Sequence, residues 1–182
     1  IAVANAGGMG ACGCYMMRPE QIKNWVQTVR SGSNGVFQLN LWIPDPDPIR
    51  DLQNEAELRD FLGRWGPKVD PKDAEASQID FDEQCEAILA LGPSVISSIM
   101  GIYPAPFVAR LKNQGIKWFA TVTSVTEALA AEAAGADVIV AQGVEAGGHR
   151  GSFNMDDVSR SLVGLFSLLP AVVDAVKIPV VA

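Results

Sequence analysis

The chain has 182 residues, 48% hydrophobic and 19% charged, with a formal net charge of −7. That length supports one domain with room for an insertion, and an acidic balance with no basic stripe excludes nucleic acid as a partner. Three cysteines (Cys12, Cys14, Cys85) beside a single histidine, without C-x-x-C spacing, argue against a disulfide framework or a metal site and fit a reducing, cytoplasmic compartment; no apolar run nears the ~20 residues of a membrane span, and no secretory signal is visible.

In chain order, Ile1-Ala-Val-Ala-Asn-Ala-Gly7 predicts the back half of a helix ending at glycine. A short strand over 8–12 follows, then a helix over 19–30 opened by Pro19, and an alternating strand over 36–41. Residues 42–79 break this rhythm. They contain Pro44-Asp-Pro-Asp-Pro48, a helix over about 55–65, and a polar stretch rich in Pro, Lys and Asp. The segment follows the carboxyl end of a strand, so a lid and a passive surface insertion stand as equal readings.

The strongest pattern comes next. Phe81, Cys85, Ile88 and Leu91 share one face of a helix over 81–91, capped by Asp80 with Glu83 three residues on, and stopped by Gly92-Pro93. A strand over 95–100 leads to a helix begun by Pro106 and ended at Gly115. A strand over 117–122 leads to the capping box Ser124-Val-Thr-Glu127, whose helix stops at Gly135. The apolar run Ala136-Asp-Val-Ile-Val-Ala141 is a buried strand; a helix over about 170–176 and a terminal strand at Val180 close the series. The stop glycines at 92, 115 and 135 lie 23 and 20 residues apart, one strand plus one helix each.

Strands that alternate with helices predict an α/β fold with a parallel sheet. Six strands in succession, with a half helix at one end and a bare strand at the other, predict a (β/α)₈ TIM barrel incomplete at both termini. A doubly wound open sheet is the alternative.

In a parallel barrel the carboxyl ends of the strands share one mouth. Asn40, Met100, Thr121 and Gln142 close their strands there. Amides and a hydroxyl offer donors and acceptors without charge, which suits the polar rim of a heterocyclic cofactor. After the last of these strands comes Gln142-Gly-Val-Glu-Ala-Gly-Gly-His-Arg-Gly151, with four glycines among residues 143–151. Gly147 and Gly148 let peptide groups approach a planar ring. His149 is the only histidine, and imidazole is the side chain suited to taking or giving a proton near neutrality. Arg150 is a fixed cation beside it. Glu145 is expected to be a solvated loop carboxylate, with orientation of the imidazole as the other option.

This ten-residue segment resembles the signature of the nitronate monooxygenases, once called 2-nitropropane dioxygenases. The likeness extends along the chain. Asn5-Ala-Gly-Gly-Met-Gly10 is similar to the family's NAGGLG end of the first helix, and Phe37-Gln-Leu-Asn-Leu-Trp42 to its third strand. Gly115-Ile-Lys-Trp-Phe-Ala-Thr-Val122 and Ala134-Gly-Ala-Asp137 match the approach to the signature, and Val180-Val-Ala182 matches the start of a PVVAAGGI strand. The resemblance implies an FMN-binding (β/α)₈ barrel that oxidises alkyl nitronates with O₂ to a carbonyl compound and nitrite. It further implies flavin contacts from Asn40, Thr121, Gln142, Gly147 and Gly148, and catalysis by His149. A neutral nitroalkane would lose its α-proton to neutral His149; a nitronate would have its charge offset by the protonated form.

Position 121 varies in the family, with Lys in some members. The family's first strand, with its APM sequence, and its glycine loops for the FMN phosphate have no counterpart in this stretch, which alone is expected to bind FMN poorly. An FMN-dependent enoyl-acyl-carrier-protein reductase, which shares a Glu-x-Gly-Gly-His-x-Gly segment, is the rival enzyme. A flavin-binding protein without turnover and an incomplete barrel that associates with its missing parts are further readings, and a homodimer stays open.

Overall fold

The computed structural model describes residues 1–46, 49–75, 79–160 and 162–182. Asp47 and Pro48 of the proline run, residues 76–78 of the polar stretch, and Ser161 lie outside the described residues. In chain order the elements are α1 (Ala2–Asn5), β1 (Gly10–Gly13), α2 (Pro19–Gly32), β2 (Phe37–Trp42), α3 (Leu52–Leu62), α4 (Phe81–Leu91), β3 (Val95–Ile99), α5 (Ala105–Asn113), β4 (Lys117–Val122), α6 (Val125–Ala133), β5 (Val138–Ala141), α7 (Leu165–Ala175) and β6 (Val180–Val181). Two compact units result: Ile1–Pro44 with Asp80–Ala182, and Asp45–Ile79.

The larger unit is one six-stranded sheet in the order β1-β2-β3-β4-β5-β6, parallel at every pairing. A doubly wound sheet reverses its strand order at a switch point. Here each strand is placed beside its predecessor in the same direction, as in an arc of a (β/α)₈ barrel.

Alternation along the strands sorts residues to two faces. Phe37, Leu39 and Leu41 of β2, Trp118, Ala120 and Val122 of β4, and Ile139 and Ala141 of β5 are buried. They form the core with Ile22 and Val26 of α2, Ile88 of α4, Leu111 of α5 and Val172 of α7. The opposite face carries Asn40, Trp42, Phe119, Thr121 and Val140, all half-buried. This second face, at its carboxyl end, holds the candidate site.

Local chemistry explains the element ends. Asp80 caps α4 by accepting the Glu83 N–H at 2.9 Å, and Gly92 ends it with φ at +56°, a left-handed turn that glycine adopts without strain. Several expected boundaries shift by one or two residues, and three differences have a visible cause. The helix expected over 55–65 starts earlier, at Leu52, because Asp51 caps it by accepting the Asn54 N–H at 3.1 Å. The strand expected over 95–100 stops at Ile99; Met100 has φ at +66° and leaves the sheet direction.

The helix expected over 170–176 is in fact Leu165–Ala175, with Pro170 inside it. Pro170 lacks the N–H that would bond the Phe166 carbonyl. Burial of Leu168 and Val172 on either side carries the helix through the proline.

The smaller unit consists of α3 and a 3₁₀ turn over Pro71–Glu75. Its helix buries no residue, and the Arg50 guanidinium pairs with Glu55 at its start.

Candidate active site at the carboxyl ends of the strands

The glycine loop after β5 is closed by the side chain that begins it. Gln142 Nε2 donates to the His149 carbonyl at 2.9 Å, and its Oε1 accepts the Gly151 N–H at 2.8 Å. Gln142 therefore fastens both limbs of the loop, while its own N–H continues the sheet to the Val122 carbonyl at 2.8 Å. Arg150 turns back beneath the loop. Its guanidinium donates to the Gln142 carbonyl at 2.9 Å and to the Thr123 carbonyl at 3.3 Å. The fixed cation expected beside His149 is thus also a tie between loop and sheet.

Glycine serves two purposes in this loop. A Cβ on Gly151 would stand 2.8 Å from Ile99 Cγ1, and one on Gly143 would stand 2.7 Å from the Leu165 Cβ. Those two positions are close approaches of backbone to packed atoms. Gly147 and Gly148 are the opposite case, with no protein atom within 4 Å of where a Cβ would project, and Gly148 has φ at +81°. The tip faces open space and the base is packed.

Glu145 is exposed on the loop, as expected of a solvated carboxylate, and does not orient the imidazole, but it has a partner. Its two oxygens accept the Leu165 N–H at 2.9 and 3.1 Å, at the first residue of α7. An anion at a helix amino terminus meets unpaired N–H groups and the positive end of the dipole. Its own backbone N–H, the Leu165 N–H and the nearby Arg150 charge hold the carboxyl below its ordinary value.

His149 is exposed at the loop tip, and its ring lies against Trp42, with centroids 4.7 Å apart and planes at 62°. Trp42 in turn stacks on Tyr15, at 4.4 Å and 15°. Trp42 ends β2 on the half-buried face. Tyr15 lies in the loop after β1, a loop held by Gln84 of α4. Gln84 is only 3% exposed, and its Nε2 lies within hydrogen-bond distance of the carbonyls of Cys14 (2.9 Å), Tyr15 (3.2 Å) and Met17 (2.8 Å).

Asn40, Thr121 and Gln142 lie on the same side of the sheet. Asn40 pairs in register with Ser97, Ser97 with Phe119, and Phe119 with Val138; Thr121 is two residues further along β4 and pairs with Val140. The polar positions step forward from strand to strand, the offset that strand tilt in a barrel requires. Asn40 Nδ2 donates to Ser97 Oγ at 3.0 Å, and Thr121 makes no side-chain hydrogen bond among the described residues. Met100 sits beside these ends in its left-handed conformation, an uncommon backbone for a side chain with a Cβ.

The cysteines are held as thiols. Burial, with the neighbouring Cys12, pushes Cys14 up to about 12, and burial with Asp82 and Glu86 does the same to Cys85. Burial also raises Cys12.

Trp42, Tyr15 and Gln84 were not among the residues expected at the site. Trp42 had a signal, since an aromatic residue closing an alternating strand falls on the same face as Asn40. Gln84 gave none, because its role depends on which loop α4 packs against.

A family model described as nitronate monooxygenase matches residues 1–182. A curated probable nitronate monooxygenase of Staphylococcus aureus is 34% identical over 184 residues, covering 100% of this chain and 52% of the relative. Among solved structures, the nitroalkane oxidase of Streptomyces ansochromogenes aligns with a TM-score of 0.83 at 31% identity, over 98% of this chain and 52% of that one. A point mutant of FabK from Thermotoga maritima aligns with a TM-score of 0.68 at 25% identity, over 98% and 46%. The chain spans about half the length of the curated relatives it matches. Its strand order, its signature loop and a model match along its whole length agree, and the chain belongs to the nitronate monooxygenase family.

Proposed function

We propose that this chain carries the acid–base site of a flavin-dependent enzyme that oxidises alkyl nitronates or nitroalkanes with O₂, giving a carbonyl compound and nitrite. The observation that carries the proposal is the mounting of His149. The imidazole stands at the open tip of a loop whose base is fastened by Gln142, Arg150 and Gly151, on the rim shared by Asn40 and Thr121.

The residues present fit a flavin. The bare, unobstructed peptides at Gly147 and Gly148 leave room for a flat ring, and Asn40 and Thr121 bring uncharged polar groups to the same face. FMN would be held by Asn40, Thr121, Gln142, Gly147 and Gly148. When bound, the flavin supplies the electron acceptance that O₂ completes.

The chain's own chemistry is proton movement and exclusion. His149 takes the α-proton of a nitroalkane: the C–H bond breaks, an N–H bond forms on the imidazole, and the electron pair passes to the nitro oxygens. Exposure at the rim lets the imidazole return that proton to water. Trp42 packs on one side of the ring and limits the positions it can occupy. Presented with a preformed nitronate, protonated His149 pairs with the anion, and no proton abstraction is needed.

His149→Asn tests this reading. In the flavin-loaded protein it is expected to lower nitroethane turnover by roughly 10²–10⁴-fold, the range of general base catalysis, with flavin still bound and ethylnitronate oxidation much less affected. Nitrite release measured with each substrate checks it, and unchanged nitroethane turnover rejects His149 as the base.

The likeness to FabK favours a second reading, FMN-dependent reduction of an enoyl-acyl-carrier-protein. NAD(P)H consumption with an enoyl thioester, without nitrite release from a nitronate, would select it. For the compartment we propose the cytoplasm, a reading supported by three unbridged thiols. Among the described residues no helix is long and apolar enough to cross a membrane.

A further inference from the structure

We infer that Glu127, in the first turn of α6, is a positioning residue for His149: its carboxylate anchors the trailing limb of the glycine loop and so sets where the imidazole stands. The inference rests on the reading of His149 as the base.

Four donors converge on this one carboxylate. Oε2 accepts from the Thr123 N–H at 2.6 Å and the Thr123 hydroxyl at 2.8 Å. Oε1 accepts from the Ser152 hydroxyl at 3.0 Å and the Phe153 N–H at 2.9 Å. Thr123 and Ser152 are both buried, and Glu127 is half-buried between them. One side chain therefore joins the end of β4 to the chain directly after Gly151. Arg150, the neighbour of His149, closes the same circuit by donating to the Thr123 carbonyl at 3.3 Å.

The arrangement goes beyond helix capping. The motif Ser124-Val-Thr-Glu127 predicts a reciprocal pair in which the glutamate returns to the Ser124 N–H. Only the forward half has that form: Ser124 Oγ accepts the Glu127 N–H at 3.2 Å. The carboxylate is turned instead to Thr123 and to the loop. A cap would occupy one oxygen, whereas here the second is given wholly to Ser152 and Phe153. An ionised carboxylate accepts at both oxygens and donates at neither. Glutamine would set an N–H₂ against a backbone N–H, that of Thr123 or that of Phe153, whichever way its amide turned, and would oblige the hydroxyl beside it to turn and accept.

The test compares nitroethane with preformed ethylnitronate in the flavin-loaded protein. Glu127→Gln is expected to lower kcat for nitroethane by at least about tenfold and toward ~10²-fold, the penalty of a misplaced catalytic group, while ethylnitronate turnover stays within about twofold. A general loss of structure would lower both together. Added to His149→Asn, the substitution is expected to change the ratio of the two rates no further. Amide hydrogen exchange should quicken at residues 149–153 and stay as before in β4 and β5.

An unchanged ratio in a folded Glu127→Gln protein overturns the inference, as does an equal fall with both substrates. Should that variant not fold, Ser152→Ala removes one of the four bonds and is expected to lower the ratio by roughly threefold; no change there overturns it equally. If His149→Asn itself leaves the ratio unchanged, the base assignment fails, and exchange alone judges Glu127. Acceleration confined to 149–153 then sustains its anchoring role, and unaltered exchange ends it.

Discussion

The loop after β1 and the loop after β5 are each pinned by one polar side chain from a helix, with opposite hydrogen-bonding sense. Over Cys14–Met17 the backbone turns carbonyls inward, and Gln84 of α4 meets three of them with its N–H₂. Over 151–153 the chain presents an N–H and a hydroxyl, and Glu127 of α6 meets them with a carboxylate. The first loop carries Tyr15 and the second carries His149, and Trp42 lies in ring contact with both. Each brace has the polarity its loop lacks, so exchanging amide for acid at either place would leave like groups facing each other.

Removing a brace should show the largest effect. Gln84→Leu keeps most of the volume but takes the side-chain donor from three loop carbonyls, of which that of Cys14 keeps only the Met17 N–H, and is expected to cost about 2–3 kcal/mol, seen as a lower urea midpoint. A loss below about 0.5 kcal/mol would mean that the first loop holds itself and that the parallel fails. Within the second loop, packed base and open tip should separate. Gly151→Ala drives a Cβ to 2.8 Å from Ile99, with an expected loss of about 1–3 kcal/mol from overpacking. Gly147→Ala meets no atom within 4 Å; its stability should move by under about 0.5 kcal/mol while flavin affinity falls about tenfold, a cost of roughly 1.4 kcal/mol. Titration of flavin fluorescence reads this, and unchanged affinity would show that the tip does not face the ring.

The smallest effect lies outside both loops and sets their background. Burial by itself would raise the Asp137 carboxyl, but bonds from Lys112, the Trp118 N–H and Lys117 outweigh it and hold the value below the ordinary range. A carboxyl lowered by folding stabilises above its unfolded value of about 4 and loses that contribution as pH falls through the lowered one. Asp137→Asn should therefore flatten the acid limb of stability by about 1 kcal/mol or less, with no change in the ratio of nitroethane to nitronate turnover.

The repeated helix–glycine–strand unit was legible because its signals are local. Asp80, Gly92, Ser124 and Gly135 act within a few residues of themselves, so spacing alone revealed the alternation and hence the parallel sheet. Elements whose limits depend on distant partners were less so. The start of α7 depends on Glu145, twenty residues earlier in the chain, and its continuation through Pro170 depends on burial that no local propensity reports. The loop with His149 announced itself by composition, and Asn40 and Thr121 by falling at strand ends. Gln84 and Glu127 look like ordinary polar positions on amphipathic helices. Their work appears only when the loops they hold are brought alongside.

The state of the sulfur atoms has a practical consequence. A thiol with a pKa near 12, as at Cys14 and Cys85, is ionised at pH 7.5 to only a few parts in 10⁵, against about a tenth for an ordinary exposed cysteine near 8.5. Alkylating dyes should pass these two sites by. A reporter cysteine introduced at an exposed rim position such as Val144 would outcompete them by roughly three orders of magnitude, so that the histidine loop could be labelled with Cys14 and Cys85 left in place and only the half-buried Cys12 replaced.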